Sequence, residues 1–242
     1  MLAVRVFSQR QPLVAIATLA FVVLNNALAS LLFLAVYGFD IRTFADRGAL
    51  IDRGADAADP LRWAALIDMV GYLALAPVVV YLHGRLRAAA SEQVSRHWPF
   101  GVVTFCGLGF VLVGALGAVL MASVGPALLQ AAGGDPAVHA AARVAFGALA
   151  SSVYVGLWGT LELMLYGVWL IGVGWFVRAE GRAFAWFAAV GGLGALGYSL
   201  RTGLSGRTPV EGIGPLDILI LGALGFASAW VLWLSVRLWL GR

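Results

Sequence analysis

Lysine is absent from this chain of 242 residues, and all sixteen basic residues are arginine. The absence excludes enzymes and photoreceptors that form a Schiff base on a lysine amine. Cysteine is nearly absent as well, because Cys106 is the single one. One cysteine excludes an intramolecular disulfide and a cysteine-based metal site. A buried thiol of this kind is typically a small apolar side chain.

Charge of either sign is scarce. Charged residues make up 12% of the chain and hydrophobic residues 62%, whereas a soluble domain carries roughly 25% charged residues. So few charges do not cover a water-facing surface, and we expect lipid to surround most of the chain. The net charge of +4 does not indicate nucleic-acid binding, because the arginines lie at the ends of apolar segments rather than in one patch.

Six apolar segments are long enough to be membrane spans, since a bilayer crossing needs about 20 residues of helix. The pattern predicts an all-α fold, a single polytopic transmembrane domain over residues 1–242 with spans near 13–37, 63–82, 100–124, 144–177, 184–204 and 216–240. The fourth segment is too long for one crossing and too short for two. We interpret it as a helix that begins outside the membrane at Pro136, with Asp135 as its cap.

The arginines also predict orientation. With the N-terminus in the cytoplasm, nine arginines lie inside and seven outside, which favours two cytoplasmic termini in a bacterial cytoplasmic membrane. Residues 38–62 then form an extracytoplasmic loop in which aspartates and arginines alternate. This loop is either a solvated surface segment with a short interfacial helix or a lid over an outward-facing cavity.

Ionisable groups inside a span are costly, about 2.5–3.5 kcal/mol each on insertion scales. Two acids lie inside predicted spans, and both fall in the outer half of the membrane. Other polar and aromatic residues cluster near their depth, and Tyr154, Trp158, Glu162 and Tyr166 recur every four residues along one helix. The candidate ligand-binding residues are Asn25, Asp68, Tyr72, Trp158, Glu162, Tyr166 and Arg201.

Two interpretations of this cluster stay open. In the first, the residues line an outward-facing cavity that takes a small cation, a relayed proton or the polar head of an amphipathic ligand. In the second, Arg201 pairs with Asp68 or Glu162, and the other groups form hydrogen bonds between helices.

Glycine is abundant, with 31 residues, and most lie inside apolar segments, which favours close helix packing. The same glycine-rich helices suggest an alternative function, an accessory subunit packed against another membrane protein. A membrane-embedded enzyme ranks last, because the chain has no HExxH, phosphate-loop or GxSxG motif. We predict no catalytic residue, no metal site and no cofactor.

The second span carries a family resemblance. Its sequence is LRWAALIDMVGYLALAPVVVYLHGRLR, with an acid at Asp68, the pair Gly71 and Tyr72, and Tyr81 and Leu82 shortly before Arg85. In this segment and in the layout of its spans the chain resembles a bacterial family of integral membrane proteins of unknown function, the domain-of-unknown-function 4386 type. The resemblance implies six helices and no particular substrate.

Overall fold

The computed structural model describes residues 2–39, 46–89, 98–178 and 182–206. Every regular element in these ranges is a helix. The α-helices are α1 (Leu2–Val36), α2 (Ala58–Ala89), α3 (Trp98–Ala131), α4 (Pro136–Ser151), α5 (Leu163–Val177) and α6 (Arg182–Ser205). A π-helical segment, Ser152–Glu162, joins α4 to α5, and two short 3₁₀ helices, Ala49–Arg53 and Ala55–Ala57, precede α2. The predicted span at 216–240 lies outside the described residues.

Three of the described helices are long and apolar enough to cross a membrane, namely Ala55–Gly84, Phe100–Ala131 and Pro136–Phe176, while Ala20–Val36 is a shorter apolar helix. Large apolar side chains on several helices face outward, and Leu24, Phe105 and Trp186 are each about 70% exposed. An outward apolar surface of this kind suits lipid rather than water. The prediction of an all-helical fold is therefore confirmed, and three of the described helices have the length and apolarity that a membrane span needs.

The long fourth helix begins where the sequence predicts. Asp135 is its N-cap, its carboxylate accepts a hydrogen bond from the Ala137 amide at 2.8 Å, and Pro136 takes the first helical position. The helix is continuous for 41 residues, Pro136–Phe176. At 1.5 Å per residue that is about 60 Å, roughly twice the hydrocarbon thickness of a bilayer. The helix is therefore longer than a single bilayer crossing requires.

Glycine also ends α1 in a specific way. The Phe39 amide donates to the Leu34 carbonyl, and the Gly38 amide donates to the Ala35 carbonyl, which is the Schellman pattern. Gly38 has a φ of 69°, a conformation that glycine adopts without a steric penalty. The helix ends sharply there, and Tyr37 is left fully buried at its last turn.

The helices pack in sequence order, α1 on α2, α2 on α3, α3 on the π-helical segment and α5, and α5 on α6. Glycines serve this packing in two ways. Gly167 and Gly192 bring α5 and α6 close, since a Cβ on either glycine would meet the carbonyl oxygen of the other at 2.7 Å. On α3, by contrast, Gly107 and Gly114 receive aromatic rings from neighbouring helices.

The buried side chains form two apolar clusters at opposite ends of the bundle. We call one the lid-end core, because the residues before α2 pack into it. Its largest buried members are Tyr37, Leu50, Ile51, Leu61, Met121, Leu129 and Phe146. We call the other the far-end core, and its members include Val79, Leu82, Phe100, Phe110, Trp169, Leu170 and Val173. The polar residues described next lie between the two cores.

Candidate functional site

A carboxyl group lies inside the bundle. Glu162 is the last residue of the π-helical segment, and it is 6% exposed. The Tyr72 hydroxyl on α2 donates a hydrogen bond to its Oε1 atom at 2.9 Å. Its Oε2 atom is buried and has no hydrogen-bond partner among the residues that the structure describes. One half of this carboxyl group is therefore satisfied, and the other half can accept a bond from a bound species.

A second acid lies near the first. Asp68 is one helical turn before Tyr72 on α2, and its charge is close enough to interact electrostatically with Glu162, Tyr72 and Tyr154. Two carboxyl groups thus share one region inside the bundle. Because like charges in a low dielectric repel each other, a proton or another cation between the two groups would stabilise this arrangement.

Trp158 completes the wall beside these acids. Its indole Nε1 donates to the Gly114 carbonyl on α3 at 3.1 Å. A Cβ on Gly114 would lie 2.1 Å from the Tyr72 ring, and a Cβ on Gly117 would lie 2.3 Å from the Trp158 indole. The missing side chains of these two glycines therefore make room for the rings that flank Glu162. We call Asp68, Tyr72, Trp158 and Glu162 the polar layer.

Aromatic rings enclose the polar layer on both sides. Towards the far end, Tyr72 contacts Phe110 edge to face with ring centroids 5.8 Å apart, and Phe110 in turn contacts Tyr166 at 4.9 Å. Towards the lid, Trp158 contacts Tyr154 at 5.2 Å, and the Tyr154 hydroxyl forms a hydrogen bond with the Tyr37 hydroxyl at 3.1 Å. Aromatic faces can stabilise a cation through their quadrupoles.

The helix that carries Glu162 has π geometry in this region, which is uncommon and frequently occurs at functional sites. The Thr160 hydroxyl donates to the Val155 carbonyl five residues earlier, at 2.6 Å. From α6, the buried Ser199 hydroxyl donates to the Thr160 carbonyl at 2.7 Å. Thr202 packs against Gly159, where a Cβ would come within 2.8 Å of its methyl group. Helix α6 therefore supports the π-helical segment directly.

Four of the seven predicted site residues form the polar layer, and three lie elsewhere. The Asn25 amide donates to the Ile67 carbonyl at 2.6 Å and lies against Gly71, so it joins α1 to α2. Tyr166 is buried in the far-end core. Arg201 is exposed on α6, and among the described residues no ion pair joins it to Asp68 or Glu162.

The residues before α2 close one end of the bundle. We call residues 46–57 the lid segment. Its Leu50 and Ile51 are both 0% exposed and belong to the lid-end core. The sequence predicts either a solvated loop or a lid over an open cavity. In the structure the lid segment is packed shut over the bundle, so the cavity that the sequence predicts is not open at this end in the described residues.

Ion pairs hold the lid segment to α4. Arg143 forms salt bridges with Asp46 and with Asp52, the latter at 2.7 Å. His139 Nε2 lies 3.6 Å from Asp52. From the lid side, Arg47 donates to the Ser151 hydroxyl at 2.8 Å. Because Ser151 directly precedes the π-helical segment, this bond ties the lid to the helix that carries Glu162.

Comparisons with known proteins give no relative. No family model matches the chain, and neither a curated protein nor a solved structure is significantly similar to it.

Sequence reasoning missed two parts of the site. It did not predict the Tyr37–Tyr154 hydroxyl pair, although Tyr37 at the end of an apolar segment is a visible signal. It also treated residues 152–162 as ordinary α-helix. The glycines Gly156 and Gly159, which are weak helix formers, were the available sign of an irregularity there.

Proposed function

We propose that this protein binds a small cation at the polar layer and transports it across a bacterial cytoplasmic membrane, in a bundle of six spans with both termini in the cytoplasm. An alternative ligand with the same chemistry is an amphipathic molecule whose cationic head binds at the polar layer. The single observation that carries the proposal is the buried Glu162 carboxyl group, whose Oε2 atom has no hydrogen-bond partner in the described part of the chain.

The free-energy cost of burying the half-satisfied Glu162 carboxylate supports a role in binding. A carboxylate in a membrane interior costs several kcal/mol unless it is neutralised, and an unsatisfied buried polar atom adds about 1–3 kcal/mol. The one hydrogen bond from Tyr72 offsets only part of that sum. A cation or proton at Oε2 would remove the remainder, and Asp68 would add attraction for it.

The surroundings favour a small cation. Tyr72 and Trp158 flank Glu162, and Phe110 packs against the Tyr72 ring. Gly114 and Gly117 of α3 leave just enough space for the Tyr72 and Trp158 rings. The described residues contain no group of three or more histidine, cysteine or acidic side chains suited to a metal ion. We therefore expect a proton, an alkali cation or a small amine rather than a multivalent metal.

Access to the layer would come from the lid end. The lid segment is a separate piece of chain held by ion pairs and one arginine–serine hydrogen bond, whereas the far end is closed by the membrane helices themselves. Undocking the lid leaves every α-helix in place, so it is the less costly opening.

The test is Glu162→Gln, which keeps the shape and the hydrogen bond from Tyr72 while removing the charge. The purified chain is reconstituted in liposomes that contain a pH-sensitive dye, and thermal unfolding is measured in NaCl, methylammonium chloride and choline chloride of equal ionic strength. We expect the wild type to bind or move one of H⁺, Na⁺ or methylammonium, and Glu162→Gln to lose that response.

Asp56→Asn is the matched control, since Asp56 is an exposed acid in the lid segment outside the polar layer. The control should keep the full response of the wild type. The proposal fails if Glu162→Gln is more stable than the wild type and responds to H⁺, Na⁺ and methylammonium as the wild type does. Glu162 is then a structural residue.

A further inference from the structure

The Asp68 carboxyl group on α2 forms no hydrogen bond and no ion pair with any residue that the structure describes. Acids at the surface differ in this respect, since Asp52 pairs with Arg143 and Asp59 pairs with Arg62. The Asp68 side chain is half-buried, whereas Glu162 is 6% exposed. The polar layer therefore holds two carboxyl groups that can each accept a further bond, and they differ in accessibility.

The two acids also lie at different distances from the lid segment. Helix α2 runs from the lid-end core to the far-end core, and Asp68 precedes Tyr72 by four residues, ~6 Å of helix. Asp68 is therefore nearer the lid than the hydroxyl that bonds to Glu162. On the lid side, Asp68 interacts electrostatically with Tyr154, which is hydrogen-bonded to Tyr37. A species that enters from the lid end thus reaches Asp68 before Glu162.

The chemistry of the polar layer favours a proton over a larger cation. A hard metal cation takes several oxygen ligands at once, but the Tyr72 hydroxyl directs its hydrogen at Glu162, and the Trp158 indole can only donate. Gly114 and Gly117 leave just enough space for these two rings, and a proton needs one acceptor atom and no cavity. Two acids that share one site also tend to share a proton, because like charges repel.

The other titratable side chains around the two acids are neutral hydroxyls. They are Tyr37 on α1, Tyr72 on α2, Tyr154 on the π-helical segment and Tyr166 on α5. The Cys106 thiol of α3 belongs to the far-end core. On α6, Arg201 interacts with Tyr198, and within the described ranges no ion pair joins it to either acid. A proton is therefore the charge that suits this neutral surrounding.

We propose that the transported cation is a proton and that Asp68 loads it onto Glu162, an inference that rests on the cation transport proposed above. The Asp68 carboxylate takes a proton from water that enters at the lid end. The proton then passes to the Oε2 atom of Glu162, directly or through one water. Asp68 is thereby a carboxylate again, and Glu162 becomes a carboxylic acid that keeps its hydrogen bond from Tyr72.

The experiment measures proton entry into liposomes that hold the full chain and a pH-sensitive dye, in choline chloride buffer, with the membrane potential set by K⁺ and valinomycin. Uptake of radiolabelled Na⁺ and methylammonium is measured in parallel. We expect the wild type to take up protons, and neither labelled cation above the level of empty liposomes. Asp68→Asn should slow proton entry at least about 100-fold, a usual contribution of a positioned acid–base group.

Two further readouts separate loading from a structural role. In Asp68→Asn the remaining flux should be proportional to the proton concentration, because Glu162 then takes its proton straight from water. Asp68→Glu returns a carboxyl group and should restore most of the flux. Should Asp68→Asn fail to fold, Asp68→Ala takes its place with the same expected loss.

Asp59→Asn is the matched control, because Asp59 is on the same helix, is 72% exposed and lies outside the polar layer. It should keep the wild-type flux. The inference is overturned if labelled Na⁺ or methylammonium enters in place of protons, or if Asp68→Asn keeps the wild-type proton flux while Glu162→Gln loses it. In both cases cation transport through the polar layer stands. If no cation enters at all, the transport proposal itself fails, and the loading role fails with it.

Discussion

The two apolar cores differ in what seals them. The far-end core is built from side chains of α2, α3, α5 and α6, with Phe100 stacked on Phe176 at 4.0 Å and His83 hydrogen-bonded to Thr104 between α2 and α3. The lid-end core depends on Leu50 and Ile51, which the chain supplies from a separate segment. One end can therefore open by local detachment, whereas the other requires the helices to separate.

Because of this difference, we expect the polar layer to be reached from the lid end. Local openings in proteins occur where buried apolar contacts are few and a segment can detach as a unit. The lid segment is such a unit, and Tyr37 and Tyr154 lie between it and the acids. Substitutions at each end of the bundle test this contrast.

The largest expected effect is at the far end. Leu170→Ala removes a fully buried side chain of that core, and we expect a loss of about 2–5 kcal/mol of global stability, since the surrounding helices cannot collapse into the space. Leu50→Ala, at an equally buried position in the lid segment, should instead mainly increase proteolysis of residues 46–57. Thermal unfolding and limited proteolysis of both variants check this. Equal losses of global stability in the two variants would contradict the difference between the two ends.

The polar layer should be sensitive to a single methyl group. Gly114→Ala places a Cβ against the Tyr72 ring, and we expect a loss of about 1–3 kcal/mol from overpacking, together with loss of the cation response. Gly101→Ala lies on the same helix with open space around it, and it should be neutral or gain up to about 1 kcal/mol, since alanine favours helix. Thermal unfolding of the pair is the measurement, and equal stabilities would contradict the packing described here.

Between the lid and the acids, Tyr37→Phe removes one partner of the hydroxyl pair with Tyr154. We expect a loss of about 1 kcal/mol, the typical net value of such a bond. Because Tyr37 is at the last turn of α1, amide hydrogen exchange there should accelerate, while exchange in the far-end core stays unchanged. Uniform acceleration along the whole chain would argue against an opening confined to the lid end.

The smallest effect should come from the ion pairs. Arg143→Gln breaks the salt bridges to Asp46 and Asp52. These groups are 40–55% exposed, so solvent screens them and we expect about 0.5–1 kcal/mol. Proteolysis of the lid segment in the wild type should increase with salt and approach that of the variant. Arg62→Gln, which removes an exposed pair within α2, should leave lid proteolysis unaltered at every salt concentration.

Local features of the fold were predictable from the sequence, and tertiary ones were not. Asp135 and Pro136 mark a helix start because capping depends on neighbouring residues alone. That Asp68 and Glu162 lie within long apolar helices follows from counting residues along apolar segments. The bond between Glu162 and Tyr72 does not follow, because it depends on which helices become neighbours.

The burial of the lid segment was likewise not predictable from the sequence. Leu50 and Ile51 are two apolar residues in a segment dominated by aspartate and arginine, and their burial depends on the distant side chains of the lid-end core. The sequence therefore left open whether residues 38–62 are solvated or form a lid. The π geometry of residues 152–162 was missed because apolar periodicity was read with α-helical spacing.

The π-helical segment also allows a local change in the rotation of side chains along the long helix. A π turn contains an extra residue relative to an α turn, and in an α-helix each residue accounts for about 100° of rotation. If such a turn shifted along the helix past Glu162, the side chains between its old and new positions would be re-phased by about that angle. Glu162 would then swing away from Tyr72 while both ends of the long helix remained anchored, so a slip of one residue could present the carboxyl group to a different neighbour without rigid-body motion of any span.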